Sequence, residues 1–356
     1  MNIVWRFLLG LGVALAGAGI ATLLSFPLPW LLGPLLATAA TRMSGLRSFC
    51  PRMVRNAGQW VIGISLGLYF TPEVARHVID NIWLICAGVL HALFLGSLGC
   101  WVMQRYAGLD AKSAWFAAAI GGASEMTTQA ERYGAQADRV ATVHSLRVLL
   151  VVVLVPFFFQ WWMGAQMVPR AYATLREIDA HLGAVALFVL GSCATVFLFR
   201  KLRVPSAWVL GPMTFTLLLS MQEIRVFSAL PQGVLIAGQL MIGWSLGDRY
   251  RPGFFRTAPR LLGIVTVFTI VMLLLSAGVA WILARLSGAS LPVMLLGMAP
   301  GGIAEMTITA KALGLAVPLV TAMQVVRMIV VVLLTTPIYR CAQAWASKRR
   351  VTAWKS

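Results

Sequence analysis

The chain has 356 residues, 60% of them hydrophobic and 11% charged, with a formal net charge of +18 at pH 7. Soluble domains carry about 25% charged residues, and a chain this size cannot bury almost every helix on all sides, so the composition excludes a soluble globular protein and indicates an all-α polytopic membrane protein. Arg and Lys are spread over short connections between apolar runs, as the positive-inside rule describes, and are not gathered in a basic domain; direct nucleic-acid binding is not expected.

In chain order, the first apolar segment covers about 4–25. Its single Arg, apolar core and small residues could pass for a signal peptide, but a counterpart near 183–199 marks it as an uncleaved first helix. A second segment, 28–43, opens with "WLLGP", Trp30 to Pro34. Arg42, Arg47, Arg52 and Arg55 then crowd the connection to a third, 57–71, which reads "AGQWVIGISLG". Segments 82–104, 113–131 and 138–163 complete a set of six. The fifth carries "GGASEMTTQA" at 121–130, and the sixth places His144 and Arg147 just before the run "VLLVVVLV". Runs such as Ile82 to Met103 are long enough to cross the hydrocarbon core as helices.

Beyond a polar stretch around Pro169 to Asp179, the order repeats over 181–199, 206–221, 231–247, 259–284, 291–311 and 316–339. "WVLGP", "AGQLMIGWSLG" and "GGIAEMTITA" return in turn, followed by Gln324 and Arg327 where the first half has His144 and Arg147. Matches in one order at nearly constant spacing signal internal duplication. The chain divides into a first membrane repeat, 1–168, a second, 181–346, and a basic tail, 347–356.

Loop charge gives the relative orientation. In the first half the positive charge sits between segments two and three, where the second half has only Arg225. There it gathers one connection earlier (Arg200, Lys201, Arg203) and one later (Arg249, Arg251, Arg256, Arg260). The cytoplasmic side therefore alternates out of phase, as inverted repeats require. Ten crossings plus two broken or re-entrant Gly-Gly segments fit better than twelve straight helices, and both termini are expected in the cytoplasm.

Gly121-Gly122 and Gly301-Gly302 interrupt their helices at matching places. A broken helix exposes free backbone N–H groups and a helix dipole, tolerated at membrane depth only beside a cavity or protein partners. Close helix packing on small residues is the plainer reading of the glycines. Glu125 and Glu305 are the carboxylates placed inside apolar segments, where a charge normally needs a partner or a wet cavity. Each is a candidate substrate or ion ligand, or alternatively a cap for its half-helix.

Arg147 and Arg327, each in the following helix, have three readings: a structural pair with the Glu, an anion receptor, or snorkelling to the interface. Thr127, Thr128, Thr307 and Thr309 place hydroxyls beside each Glu, with Thr127 and Thr307 joining the candidate binding residues. Gln59, Ser65, Gln239, Ser245, His144 and Gln324 form a supporting polar set. Cys50, Cys86, Cys100, Cys193 and Cys341 have no CxxC spacing and the histidines do not cluster, so no disulfide framework, metal site or cofactor is expected.

At these motifs the sequence resembles the AbrB family of bacterial inner-membrane proteins. The family carries a duplicated membrane domain with a PGG or GG segment and a downstream Q-x-x-R helix in each repeat. Gly121-Gly122, Pro300-Gly301-Gly302, His144 to Arg147 and Gln324 to Arg327 are the matching elements, over essentially the whole chain. The sequence departs at His144, where the family often has Gln, and at Ala119-Ile120, where Pro can precede the glycines. The resemblance implies a bacterial inner-membrane location, and its members are labelled regulators of gene expression or ammonia monooxygenases. The second label fits poorly, because ammonia oxidation requires a redox metal and only His144 lies near the motif core.

Duplication, broken segments and buried charges together lead to an expectation of a secondary transporter. It would move a small anionic solute by alternating access, coupled to protons or sodium, within the lipid bilayer and without enzymatic activity. A membrane-embedded regulator acting indirectly is the alternative. Assembly as a homo-oligomer is compatible with the sequence.

Overall fold

A computed structural model describes residues 3–46, 48–164, 182–224, 230–252, 254 and 258–353. The expected repeat boundary, Arg47, Arg225 and Arg256 lie outside the described residues. All regular elements among the described residues are helices. The first half holds α1 (Ile3–Leu23), α2 (Pro29–Met43), α3 (Arg52–Gly67), α4 (Pro72–Asp80), α5 (Ile82–Arg105), α6 (Ala111–Ala118), α7 (Ala123–Arg132) and α8 (Ala137–Met163). The second holds α9 (Leu182–Lys201), α10 (Ala207–Met221), α11 (Gln232–Gly247), α12 (Pro259–Ser287), α13 (Leu291–Met298), α14 (Ile303–Ala312) and α15 (Val317–Ala353).

Among the described residues, five helical stretches are long and apolar enough to cross a membrane: α1, α5, α8, α12 and Val317–Cys341 of α15. They bury small residues such as Ala14, Ala18 and Ala280 while exposing Leu90, Phe94, Val267 and Leu274. Large apolar side chains facing outward along such helices suit hydrocarbon surroundings.

Two features differ from the sequence expectation. Arg52 and Arg55, expected in a connection, form the first turns of α3, because Pro51 sits extended at its N-cap and the helix starts directly behind it. The short helix α4 is an addition. The Thr71 hydroxyl caps it, accepting from the Val74 N–H at 3.4 Å, and Pro72 provides a preset first helical turn.

The halves interlock through their short helices. α2 packs along α1 and α11, and α3 packs along α10 and α11. These crossings are built twice in matching form. A Cβ on Gly63 would overlap the Val209 carbonyl oxygen, and one on Gly243 would overlap that of Leu31. Thr38 and Thr216, each one turn after the proline of its helix, donate to Pro34 O (2.5 Å) and Pro212 O (2.9 Å). They also reach the opposite half, at Trp244 O (3.5 Å) and Ile64 O (3.3 Å) respectively. The entry to α2 and to α10 is again the same, with left-handed N-cap residues Leu28 (φ 49) and Ser206 (φ 49).

Backbone contact at this distance leaves no room for a side chain. Gly63→Val and Gly243→Val are each expected to cost about 1–3 kcal/mol or more through forced separation of the helices. Thermal unfolding in detergent checks this; wild-type stability of both variants would remove the crossing from the list of structural constraints.

A polar cluster closes one end of the crossing. Asp248, after α11, accepts from the Cys50 N–H (3.1 Å) and the Ser48 hydroxyl (3.4 Å) and lies 3.6 Å from Arg42 Nε. Burial, then the charge of Asp248, pushes the Cys50 thiol up to about 12, so it stays protonated at neutral pH.

Candidate functional site

Both Gly-Gly motifs break their helices in the same way. α6 ends at Ala118 and the chain turns extended at Ala119 (φ −53, ψ 133) before Gly122 (φ −62, ψ 134) starts α7. α13 ends at Met298, with Ala299 (φ −56, ψ 135) and Gly302 (φ −83, ψ 156) in the matching roles. Each break therefore leaves two sets of backbone groups without helical partners, carbonyls behind it and N–H groups ahead of it.

The carbonyls are satisfied by the next long helix. Arg147 on α8 donates to Ala118 O (3.3 Å) and Ala119 O (3.1 Å), and its Nη2 lies 2.8 Å from His144 Nδ1. His144 Nε2 in turn lies 2.9 Å from Phe116 O. In this frame Nε2 carries the proton and Nδ1 accepts from the guanidinium. On α15, Arg327 donates to Ala299 O (2.6 Å), Gly301 O (2.9 Å) and the Gln324 side-chain oxygen, while Gln324 Nε2 donates to Leu296 O at 2.6 Å. His144 and Gln324 thus perform one task with different chemistry: one nitrogen donates to the half-helix and one acceptor steadies the arginine.

This corrects two of the sequence readings for the arginines. They do not pair with the glutamates and do not snorkel; both are buried, at 5% and 4% exposure. The cause is that the ends of α6 and α13 supply the negative dipole and free acceptors a buried guanidinium requires.

The N–H groups ahead of each break face the glutamates. The Glu125 and Glu305 carboxylates fold back over Gly122 and Gly302 so closely that a Cβ on either glycine would collide with Oε2. An acid in the first turn reaching back to its N-cap is the capping-box arrangement. Glu125 additionally crosses between halves, its Oε1 accepting from the Ser206 N–H at 3.2 Å. Since Gln serves in a capping box, Glu305→Gln is expected to stay within a few tenths of a kcal/mol of wild type, whereas Glu305→Ala loses about 0.5–2 kcal/mol. Equal losses for both in detergent melts would mean that the negative charge, not the acceptor, is what the half-helix needs.

A cavity of about 270 Å³ lies between the two breaks. It brings together Gly121, Gly122, Glu125, Arg147, Gly301, Gly302, Glu305, Gln59 and Ser245, with apolar walls from Ile120, Val148, Ile242, Leu246 and Met328. A larger cavity of about 900 Å³ adjoins it, sharing Arg55, Ala123, Ser124 and Arg249 and adding Arg139, Arg251, Arg260 and Asp138.

The other anticipated residues stand outside the inner cavity. Thr127 and Thr128 face the outer one, and both spend their hydroxyls on carbonyls of their own helix (Ala123 O 2.7 Å, Ser124 O 2.9 Å). Thr307 and Thr309 do the same, to Ile303 O (2.6 Å) and Glu305 O (2.8 Å). Gln239 is buried, with its side-chain oxygen lacking a hydrogen-bond partner. Ser65 accepts from Lys311 Nζ at 3.1 Å on the opposite side of the crossing. Among the described residues, no group of three or more His, Cys, Asp or Glu is placed to hold a metal ion.

Arg55 and Arg249 line the inner cavity but were not among the expected site residues. A signal did exist. They flank the repeated "AGQ…SLG" helices at positions occupied in the other half by Leu235 and Tyr69, so they mark where the internal symmetry of charge fails.

A family model described as "Transition state regulatory protein AbrB" matches residues 30–343. The chain is 26% identical over 325 residues to "Putative regulator AbrB" of Escherichia coli (strain K12), covering 91% of this chain and 92% of that protein. It is also 26% identical over 355 residues to "Uncharacterized protein YhjN" of Bacillus subtilis (strain 168), covering 93% and 91% of the two chains. No solved structure gives a significant match.

Proposed function

The chain belongs to the AbrB family, and we propose that it is a multi-pass carrier that moves a small anionic solute by alternating access, coupled to protons or sodium. The observation that supports this most is the one-sidedness of the cavity between two matching breaks. Ser245 and Arg249 line it, while their counterparts Ser65 and Tyr69 are instead covered by Lys311, which donates to Ser65 and lies 5.5 Å over the Tyr69 ring. A site built from two like halves, reachable past one and shut behind the other, is what exchange between two facing states requires. The matching crossings of α2 with α11 and α3 with α10 support two inverted halves of five crossings each, with α6–α7 and α13–α14 as re-entrant broken segments. The clustering of arginines at the larger cavity supports a reading in which that face meets the cytoplasm of a bacterial inner membrane, with both termini on that side.

The test is solute flux in proteoliposomes under an imposed proton or sodium gradient. Counterflow of an anion that disappears with Arg147→Gln is the expected result; no flux and no ligand binding across a broad anion panel would overturn the reading.

The regulatory description of the family model and of the Escherichia coli relative favours a second reading, in which the protein alters gene expression through a transported solute or a partner. Transcript changes in a deletion strain that are reversed equally well by the wild type and by a folded Glu305→Gln, Arg327→Gln variant would favour regulation independent of transport.

A further inference from the structure

The charged side chains of the inner cavity differ in what they are already doing. Glu125 accepts from Ser206 N–H and lies over Gly122, and Glu305 lies over Gly302. Arg147 is spent on the Ala118 and Ala119 carbonyls. Arg55 and Arg249 make no side-chain hydrogen bond among the described residues, and Arg55 Nε is buried without a partner. Each guanidinium nevertheless stands on a fixed base. Arg55 is in the first turns of α3, and Arg249 follows Asp248, which is tied to Cys50 and Ser48, and precedes Tyr250, whose hydroxyl donates to Ser145 O at 2.9 Å. A pre-positioned guanidinium pair whose donors are not hydrogen-bonded, at the junction of two cavities and within electrostatic reach of Glu125 and Glu305, is suited to an oxyanion.

The charge balance narrows the class of anion. Lining the cavity are the cations Arg55, Arg147 and Arg249 and the carboxylates Glu125 and Glu305, a surplus of one positive charge when both acids are ionised. An incoming monoanion brings the cavity to neutrality, whereas a dianion would leave an uncompensated charge in a poorly solvated site. The walls narrow it further. Ile120, Val148, Ile242, Leu246 and Met328 line the same cavity with apolar surface, which an inorganic ion would leave unused. A volume of about 270 Å³ lies below the range of drug-sized pockets, so the body of the ligand is short.

We propose that Arg55 and Arg249 form the headgroup subsite for a small organic monocarboxylate whose apolar body lies along Ile120, Val148, Ile242 and Leu246. This rests on the carrier reading for its purpose, but not for its test.

Equilibrium dialysis of the purified full-length protein in detergent with labelled butyrate measures binding directly, with acetate, hexanoate, succinate, phosphate, butylamine and butanol as competitors. Butyrate is expected to bind and to be displaced by hexanoate better than by acetate, and poorly by the other competitors. Arg55→Gln and Arg249→Gln are each expected to raise the Kd at least tenfold, and Arg249→Lys to recover part of the loss. If a Gln variant does not fold, Arg249→Cys modified after purification keeps the test available. An aminoethyl thiosulfonate should restore affinity there and a sulfonatoethyl one should not.

Unchanged butyrate affinity in both Gln variants, no butyrate binding to wild type, or preference for phosphate or succinate would overturn the proposal. Arginine-dependent butyrate binding without flux under any gradient would sustain the subsite and count against the carrier. Flux of a cation or neutral solute without butyrate binding would count against the subsite and leave a carrier standing.

Discussion

Replacing Arg327 by Met is expected to destabilise the protein by about 3 kcal/mol or more and to abolish any solute flux. Its guanidinium satisfies the Ala299 and Gly301 carbonyls and the Gln324 side chain at once, in a setting with 4% exposure. Removing a charged donor from buried acceptors costs about 1–3 kcal/mol for each group left unpaired. Arg327→Lys should recover little, because a single ammonium cannot reproduce a planar fork spanning two carbonyls. Arg147→Met should behave alike, since His144 and Gln324 each keep one donor on a carbonyl of the half-helix while the arginine's own acceptors are left unpaired. Thermal unfolding in detergent and proteoliposome flux on the same preparations provide the check. Wild-type melting of Arg327→Met would show that the break at Gly301-Gly302 is held by something other than this side chain.

A second large effect is expected from bridging the closed side. Lys311 at the end of α14 donates to Ser65 on α3, the polar contact that covers this end of the crossing. If the site must open there during each cycle, joining Ser65→Cys to Lys311→Cys with a short thiol-reactive crosslinker should reduce flux to background. Ligand binding from the open side should persist, and reductive cleavage of the bridge should restore flux. Full flux with a quantitatively formed bridge would mean that this end does not part during turnover.

The helical, membrane-like character of the fold was largely legible in the sequence, because long apolar runs report directly on helices. The expected segment at 82–104 became α5, and the Gly-Gly positions became helix breaks. The partners of Arg147 and Arg327 were not legible, for a physical reason: they are backbone carbonyls, which carry no residue identity. The only visible opposite charges were Glu125 and Glu305, and these fold back over Gly122 and Gly302 on the other side of each break. The helix α4 was not legible because it is short and amphipathic, with its start signals confined to Thr71, Pro72 and Glu73. Arg55 and Arg249 were not legible because duplication marks positions where the halves agree, while the cavity is lined where they disagree.

The reciprocal crossing of the short helices has a consequence for biosynthesis. Gly63 is shaped to meet Val209, and Gly243 to meet Leu31, so neither half presents a finished surface without the other. At about 5–20 residues per second, α3 leaves the ribosome on the order of ten seconds before α10 can reach it. During that interval a backbone groove lined by glycine stands open within the bilayer. The nascent first half therefore needs a temporary neighbour, whether the insertion machinery or lipid. Cleaving the polypeptide between the halves and co-expressing them should succeed only when both are synthesised together.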